Sequence, residues 1–181
     1  LVIITGGFEA LRSAGHDGDI DYARSLLVER LALAAELADS YRVRLAFEPL
    51  HPMVCGFRSI VSTLQESLDI LDQMDDSHDI GLAIDTYALW WEHDLQEKLK
   101  RAGRRILNYH VSDWLADTRD LRLDRGMPGD GQIALCDWRH MIEEAGYFGP
   151  IEVEIFSRDR WWKTPAEKMI EEIIQRMNSA F

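Results

Sequence analysis

The sequence has few cysteines, no long apolar run and a shortage of basic residues, and each scarcity excludes a class of protein. Two cysteines in 181 residues, Cys55 and Cys136, cannot build the disulfide framework of a small secreted domain. No apolar run approaches the ~20 residues that a membrane-spanning helix needs. We therefore expect a cytoplasmic protein that has no membrane partner.

Basic residues are scarce relative to acidic ones, with 20 lysines and arginines against 32 aspartates and glutamates and a net charge of −12. A protein that binds the phosphate backbone needs a basic surface, so nucleic acid is not expected as a partner. The remaining composition, 46% hydrophobic and 29% charged, is that of an ordinary globular chain. Because 181 residues suffice for one sizeable core, residues 1–181 are interpreted as a single domain.

Short apolar runs rich in strand-forming residues alternate along the chain with segments of helical period. The predicted strands are residues 1–5, 43–48, 80–85, 106–111 and 151–156. The predicted helices are 21–40, 63–75, 92–102, 136–146 and a last helix that begins near 164. Asp19 or Asp21 is expected to cap the first helix, and capping boxes at 63–66 and 164–167 support two others. Such alternation is typical of an α/β protein with a parallel sheet.

The two faces of the predicted strands differ in polarity, which indicates a barrel. One set of alternate positions is large and apolar, as in Phe47, Ile84 and Tyr109, whereas the other is small or polar, as in Ala46 and Asn108. A sheet covered by helices on both faces would be apolar on both, so the asymmetry favours a (β/α)₈ TIM barrel. A full barrel takes about 250 residues, and five of its eight units would take about 156. We therefore expect the C-terminal five βα units of a barrel whose first strands precede this sequence.

Three carboxylates and one histidine occupy inward positions at or near the carboxyl ends of four predicted strands. They are Glu48, Asp85, His110 and Glu154. Active sites of parallel barrels are built at that end, so we expect these side chains to converge on one divalent cation. The mostly oxygen set favours Mn²⁺ or Mg²⁺, and the histidine also admits Co²⁺ or Zn²⁺. For any one of them a simpler alternative exists, since a lone strand-end aspartate commonly caps a helix.

A long, charged segment that contains several glycines, residues 112–135, follows the fourth predicted strand. Connections of this length without regular structure are usually functional or disordered. Arg125 in this segment is interpreted as reaching over the strand ends to hold a substrate oxygen, or else as forming a structural salt bridge with Asp124 or Asp130. Trp90, after another strand, is predicted to wall a sugar-sized pocket, unless it only covers a helix end or a subunit interface.

Five ordered motifs resemble those of the sugar phosphate isomerase/epimerase family, the xylose isomerase-like barrel group. That group also includes ketose 3-epimerases, inosose isomerases and dehydratases and, more remotely, endonuclease IV. The motifs run over essentially the whole chain and are Phe47–Pro52, Ile84–Tyr87 with Trp90–Trp91, Tyr109–Trp114, Asp124–Gly131 and Glu152–Ser157. The resemblance implies that the predicted strands are the fourth to the eighth of the barrel.

The resemblance also implies roles for individual residues. The family's metal ligands Glu, Asp, His and Glu match the four strand-end residues named above, and its substrate-contacting arginine matches Arg125. His51 of the first motif and Trp90 are also assigned to substrate binding. One position departs from the family, which usually has a histidine where this chain has Ala88. Loss of that polar contact either lowers the activity or redirects it.

Together, the resemblance and the four candidate ligands predict a metal-dependent isomerase or epimerase that acts on a sugar, keto-sugar or cyclitol. Glu48 and Glu154 would take and return a proton next to a carbonyl through a metal-stabilised enediolate, with Asp85 and His110 completing the metal site. The alternatives are an inosose-type dehydratase on the same site, an endonuclease IV-like nuclease and a non-catalytic sugar-binding protein. No cluster of basic residues is evident in the sequence, so an unphosphorylated substrate is preferred. Assembly into a homo-oligomer stays open.

Overall fold

The computed structural model describes residues 1–6, 18–54, 58–75 and 78–179, so Cys55 lies outside the described residues. The strands are β1 (Val2–Ile4), β2 (Leu45–Phe47), β3 (Ile80–Asp85), β4 (Ile106–Val111) and β5 (Ile151–Val153). The helices are α1 (Ile20–Ser40), α2 (Leu64–Leu71), α3 (Thr86–Leu89), α4 (Leu95–Ala102), α5 (Leu135–Glu144) and α6 (Ala166–Ser179). Short 3₁₀ turns lie at Pro52–Val54, Gly103–Arg105 and Trp161–Lys163. Within these ranges no helix combines the length and the apolar character that crossing a bilayer requires.

The strands form one parallel sheet of five in which chain order is also spatial order. Each strand pairs in parallel with the next along the chain, from β1 to β5. Parallel neighbours need a crossover connection, and such crossovers are almost always right-handed. A sheet that adds strands in one direction in this way curves into part of a (β/α)₈ barrel. The prediction of an α/β fold with five units of a TIM barrel is therefore confirmed.

Local sequence signals explain where the first two helices begin. The side chain of Asp19 accepts a hydrogen bond from the Tyr22 amide at 2.9 Å and so caps α1. Thr63 caps α2 by accepting from the Glu66 amide at 3.0 Å, and Glu66 accepts in return from the Ser62 amide at 3.2 Å. These bonds satisfy amides that the first turn of a helix leaves without partners. The capping box predicted at 63–66 is confirmed.

Several element boundaries differ from the prediction: the helix predicted at 63–75 ends at Leu71, for example, and the strand predicted at 43–48 spans Leu45–Phe47. Two further boundaries also differ. The segment 92–102 is helical only from Leu95, because Asp94 takes a left-handed backbone conformation (φ 55°) that a helix cannot continue. The last strand ends at Val153 rather than at residue 156. Glu154 therefore lies just beyond the strand that positions it.

The core lies between the sheet and its helices. The fully buried side chains on that face of the sheet are Phe47, Leu82, Ile84, Tyr109 and Val111. They belong to one apolar cluster with leucines of α2 and α4, such as Leu68 and Leu99. The alternate strand positions are also buried but small or polar, and they are Ala46, Ala83, Asp85, Asn108 and His110. The predicted difference between the two faces is confirmed, and the polar face is the one that carries the candidate site.

Candidate metal and substrate site

The four predicted metal ligands all lie at the carboxyl ends of the strands, an edge that we call the rim. Glu48 directly follows β2, and Asp85 is the last residue of β3. His110 is next to last in β4, and Glu154 directly follows β5. Asp85 and His110 are opposite one another in the β3–β4 pairing. The sheet itself therefore brings all four groups to the same height.

Three of the four groups converge, and we call Glu48, His110 and Glu154 the rim cluster. One ligand atom from each of them lies within 4.8 Å of the others. Nδ1 of His110 is 3.2 Å from Oε1 of Glu48 and 3.9 Å from Oε2 of Glu154. Glu48 and His110 are buried, whereas the side chain of Glu154 is 31% exposed. The cluster is thus a partly shielded group of two carboxylates and one imidazole.

Burial and neighbouring charges shift the pKa values of the rim cluster. Burial by itself would lower the pKa of His110, but the hydrogen bond to Glu48 and the charges of three carboxylates outweigh it and raise that pKa to about 9. Burial raises the pKa of Glu154, and the negative charge of Asp85 adds to this effect. His110 is therefore protonated at neutral pH when no metal is bound. A metal would replace that proton, because a ligating imidazole is neutral.

Asp85 lies outside the rim cluster and has two other partners. Its Oδ1 accepts a hydrogen bond from the Tyr87 amide at 2.9 Å and caps α3. Its Oδ2 accepts from Nη1 of Arg125 at 2.9 Å, and the same nitrogen donates to Oε2 of Glu154 at 2.9 Å. The capping role considered from the sequence is therefore observed, together with an ion pair. Arg125 places one positive charge between two of the predicted metal ligands.

Aromatic rings hold the guanidinium of Arg125 on two sides. Its central carbon lies 4.5 Å from the ring centroid of Tyr87 and 5.1 Å from that of Phe156. The salt bridges considered from the sequence are not formed, because Asp124 and Asp130 pair with other arginines. Nε of Arg125 is buried and has no hydrogen-bond partner among the described residues. Among those residues this donor is therefore unsatisfied, and the protein covers it.

A buried aspartate, Asp113, organises the segment that carries Arg125. Its carboxylate accepts hydrogen bonds from the backbone amides of Trp114, Gly129, Gly131 and Ile133. At Gly131 a side chain would lie 2.2 Å from the Trp114 carbonyl oxygen, so the turn requires glycine. The Arg125 amide donates to the carbonyl oxygen of Phe156 at 2.9 Å, beyond β5. The segment is held firmly at the rim although it contains little regular structure.

Aromatic side chains form a wall on one side of the rim, and Trp114 is at its centre. The Trp114 ring centroid lies 4.8 Å from that of Tyr87, 4.9 Å from that of His51 and 5.6 Å from that of Trp90. Burial lowers the pKa of His51, so its imidazole is neutral at neutral pH. The structure thus brings two predicted substrate-binding residues, His51 and Trp90, into one wall.

A small cavity of about 40 Å³ opens beside Asp85. The lining residues that matter below are His51, Arg58, Asp85, Ala88, Arg122 and Arg125. Of the predicted substrate-binding residues, His51 and Arg125 line this cavity, whereas Trp90 does not. Ala88, which replaces the family's usual histidine, is buried in α3 and contributes only a methyl group to the lining.

Several residues of the site were missed by the sequence reasoning. Nδ2 of Asn108 is 3.0 Å from Nε2 of His110, so Asn108 packs directly against the imidazole. Asn108 is two positions before His110, so strand periodicity alone places both on one face. Arg58 and Arg122 are far apart in the sequence, and no local pattern indicates that they line one cavity.

The rim cluster fits a divalent cation. Nitrogen and oxygen ligands lie about 2.0–2.4 Å from such an ion, so two of them are at most roughly 4–5 Å apart. The 4.8 Å limit of the rim cluster agrees with that spacing. Asp85 would become a fourth ligand only if its contact with Arg125 opened.

Comparison with known proteins places the chain among barrel proteins. A sequence model described as "Xylose isomerase-like TIM barrel" matches residues 2–180. An inosose isomerase of Bacillus subtilis (strain 168) is 28% identical over 152 residues, which cover 80% of this chain and 51% of that protein. The chain therefore spans about half the length of the curated relatives that it matches.

Two solved protein structures also resemble this chain. Protein SMc04130 from Sinorhizobium meliloti 1021 is 44% identical, with a TM-score of 0.87 over 91% of this chain and 60% of that chain. The IOLI protein with a binding zinc atom is 24% identical, with a TM-score of 0.76 over 89% of this chain and 57% of that chain. The second likeness concerns the fold alone.

Proposed function

Because the chain belongs to the xylose isomerase-like TIM barrel family, we propose that it carries the site of a divalent metal-dependent isomerase or epimerase. Its substrate would be a sugar, a keto-sugar or a cyclitol. The observation that carries the proposal is the convergence of Glu48, His110 and Glu154 at the rim. The similarity to inosose isomerases supports the substrate class.

The rim cluster would hold the metal, with Asp85 as a fourth ligand after Arg125 releases it. A divalent cation bound there would supply polarisation of a substrate carbonyl and stabilisation of the negative charge that develops beside it. The carboxylate-rich set supports Mn²⁺ or Mg²⁺, and His110 also admits Co²⁺ or Zn²⁺.

The two glutamates of the rim cluster would move the proton. The side chain of Glu154 is 31% exposed, so its carboxylate could reach a substrate at the rim. Glu48 reaches the same space from a different strand. One glutamate takes the proton from the carbon next to the carbonyl, and the other returns it. Return to the same carbon on the opposite face gives an epimer. Return to the former carbonyl carbon, together with transfer of the neighbouring hydroxyl proton to the former carbonyl oxygen, gives an isomer.

Arg125 and the aromatic wall would orient the substrate. The guanidinium of Arg125, which lines the cavity beside Asp85, would offer N–H donors to a hydroxyl or carbonyl oxygen. The Tyr87 ring is buried between Trp114 and Arg125, so the partly exposed rings of Trp90 and Trp114 would present the apolar surface against which the C–H face of a sugar packs. Both features restrict the substrate to one orientation beside the rim cluster.

The proposal predicts that the metal-loaded protein exchanges a substrate C–H proton with solvent. The purified chain is incubated in D₂O with Mn²⁺ and a panel of keto-sugars and inososes, and deuterium incorporation is followed by NMR. Glu48→Gln and Glu154→Gln are expected to lower the exchange rate by about 10²–10⁴-fold, because each removes one of the groups that transfer the proton.

Glu97→Gln is the matched control for these variants. Glu97 is exposed in the first turn of α4. The exchange rate of this variant should stay within about a factor of three of the unaltered rate, as for most surface changes away from a site. Absence of exchange with Mn²⁺, Mg²⁺, Co²⁺ and Zn²⁺ across the panel, in a folded protein, would refute the proposal. Loss of a hydroxyl group from an inosose would instead assign the dehydratase alternative.

A further inference from the structure

The cavity beside Asp85 is more positive than the rest of the molecule. Arg58, Arg122 and Arg125 all line it, and among the described residues Asp85 is the one acidic residue in the lining. His51 adds no charge at neutral pH, because burial lowers its pKa. The positive excess is notable on a chain whose net charge is −12, since such a chain repels anions except where cations are grouped.

Two of these arginines form no ion pair among the described residues, although the charge of Arg122 acts on the Asp120 carboxylate. Within the described part of the chain, no carboxylate lies within ion-pair distance of the side chains of Arg58 or Arg122, whereas Arg125 pairs with Asp85 and Glu154. The backbone amide of Arg122 donates to Asp120, but its guanidinium does not. Arg58 and Arg122 are both exposed, so their guanidinium groups can turn toward an anion at the mouth of the cavity.

The size of the cavity restricts what it can hold. One water needs about 10–15 Å³ of such space, so about 40 Å³ accommodates roughly three oxygen-sized atoms. A second sugar ring is too large, whereas a carboxylate or a phosphate group presents two or three oxygens of this size. Arginine guanidinium groups bind both through paired N–H donors. The methyl group of Ala88 leaves this space open, and a histidine at that position would fill much of it.

The cavity adjoins the candidate metal site. Asp85 and Arg125 line the cavity, and Arg125 also contacts Glu154 of the rim cluster. We propose that the cavity binds a negatively charged group, a carboxylate or a phosphate, on the same sugar or cyclitol whose carbonyl lies at the rim cluster. This inference rests on the proposed function in one respect, namely that the molecule which carries the anionic group is a sugar or a cyclitol. It interprets Ala88 as a change of substrate rather than as a loss of activity.

Calorimetric binding tests this proposal independently of turnover. The probes are inorganic phosphate and three forms of one ketose: the uncharged sugar, its carboxylate derivative and its phosphate ester. Each is titrated into the chain with EDTA and again with Mn²⁺, because an anion that only ligates metal binds only in the second case. At least one charged sugar should bind about tenfold or more tightly than the uncharged one under both conditions. The tighter of the two charged sugars identifies the group.

Arginine variants locate the binding. Arg58→Gln and Arg122→Gln should each lower the ratio of charged to uncharged affinity by about ten- to a hundredfold, because each removes charge-assisted hydrogen bonds. Ala88→Leu should lower the same ratio without removing a charge, since it fills the cavity. Arg104→Gln is the matched control, because Arg104 is exposed and precedes β4 at the opposite end of the sheet.

The possible results of these titrations decide whether the cavity binds an anionic group. Equal affinity for charged and uncharged sugars would overturn the proposal, and so would an effect of Arg104→Gln as large as those of Arg58→Gln and Arg122→Gln. Tight binding of a charged sugar without proton exchange would overturn the proposed function but not this inference. Proton exchange on uncharged sugars alone, with no preference for the charged forms, would overturn this inference but would support the proposed function.

Discussion

Arg125 connects the candidate metal ligands to the rest of the site through a single nitrogen. Its Nη1 donates to Asp85 and to Glu154, both at 2.9 Å, while aromatic rings fix the plane of the guanidinium. Asp85 and Glu154 are both predicted ligands, so the arginine competes for the carboxylate oxygens that a cation needs. Desolvation works against its charge, but the two carboxylates outweigh this effect and raise the pKa of Arg125. It is therefore a permanent positive charge in the site.

Removal of this charge should tighten metal binding. Arg125→Gln is expected to lower the Kd for Mn²⁺ by at least about tenfold, because a unit charge about 4 Å away contributes several kcal/mol at an effective dielectric constant of 20 and only part of this is lost to screening. Calorimetric titration of the metal-stripped chain measures the effect. Arg160→Gln is the control, since Arg160 pairs with Asp124 and contacts no predicted ligand. An unchanged or weaker affinity in Arg125→Gln would show that Arg125 supports the metal site instead.

Among the helices, α2 depends on a residue that is remote in the sequence. Oε2 of Glu92 accepts a hydrogen bond from the Leu64 amide at 2.8 Å, and Oε1 accepts from the Gln65 amide at 3.4 Å. Lys98 of α4 donates to the same carboxylate at 2.8 Å. The Glu92 side chain is only 4% exposed, so these bonds are shielded from water. Glu92 thus caps α2 and ties it to α4.

Truncation of this carboxylate should destabilise the fold without altering the site. Glu92→Ala is expected to lower the free energy of unfolding by about 2–4 kcal/mol, because it leaves two amides and a largely buried ammonium group without their partner. Urea denaturation measures the change, and metal affinity should stay constant. Glu97→Ala is the matched control, because Glu97 is exposed on α4 and should change stability by less than about 0.5 kcal/mol. Equal effects of the two substitutions would refute the capping role.

The molecule as a whole is an open sheet rather than a closed barrel. Among the described residues, β1 and β5 each pair with one strand and leave the other edge without a strand partner. The helix after β5, α6, has no buried residue, and Ile170 and Ile174 are more than half exposed. Open edges and exposed apolar side chains favour association between chains.

The 181-residue chain is therefore expected to associate as its concentration rises. Sedimentation velocity between about 5 and 200 μM should show an increasing sedimentation coefficient, since self-association follows mass action. Ile174→Lys should reduce the association because it places a charge on the apolar face of α6. Gln175→Lys adds the same charge at an exposed neighbouring position and should have a smaller effect. A constant monomeric coefficient at all concentrations would contradict this expectation.

The sequence alone determined the architecture and the candidate ligands. The alternation of strand and helix, the apolar and polar strand faces and the position of Glu48 and His110 at strand ends are local properties. They depend on residue type and on spacings of two to four residues, so they can be read without knowing what lies opposite. The same reasoning placed Asp85 and Glu154 at the rim, where the structure also has them.

The pairing of the charged side chains at the site depends on the tertiary structure. The bridge from Arg125 to Asp85 and the grouping of Arg58 with Arg122 join residues that are distant along the chain. Such contacts depend on the path of the segment after β4, which Asp113 holds through backbone amides rather than through any regular spacing. The absence of a basic cluster in the sequence therefore did not exclude one in space, because folding, not proximity along the chain, brings charges together.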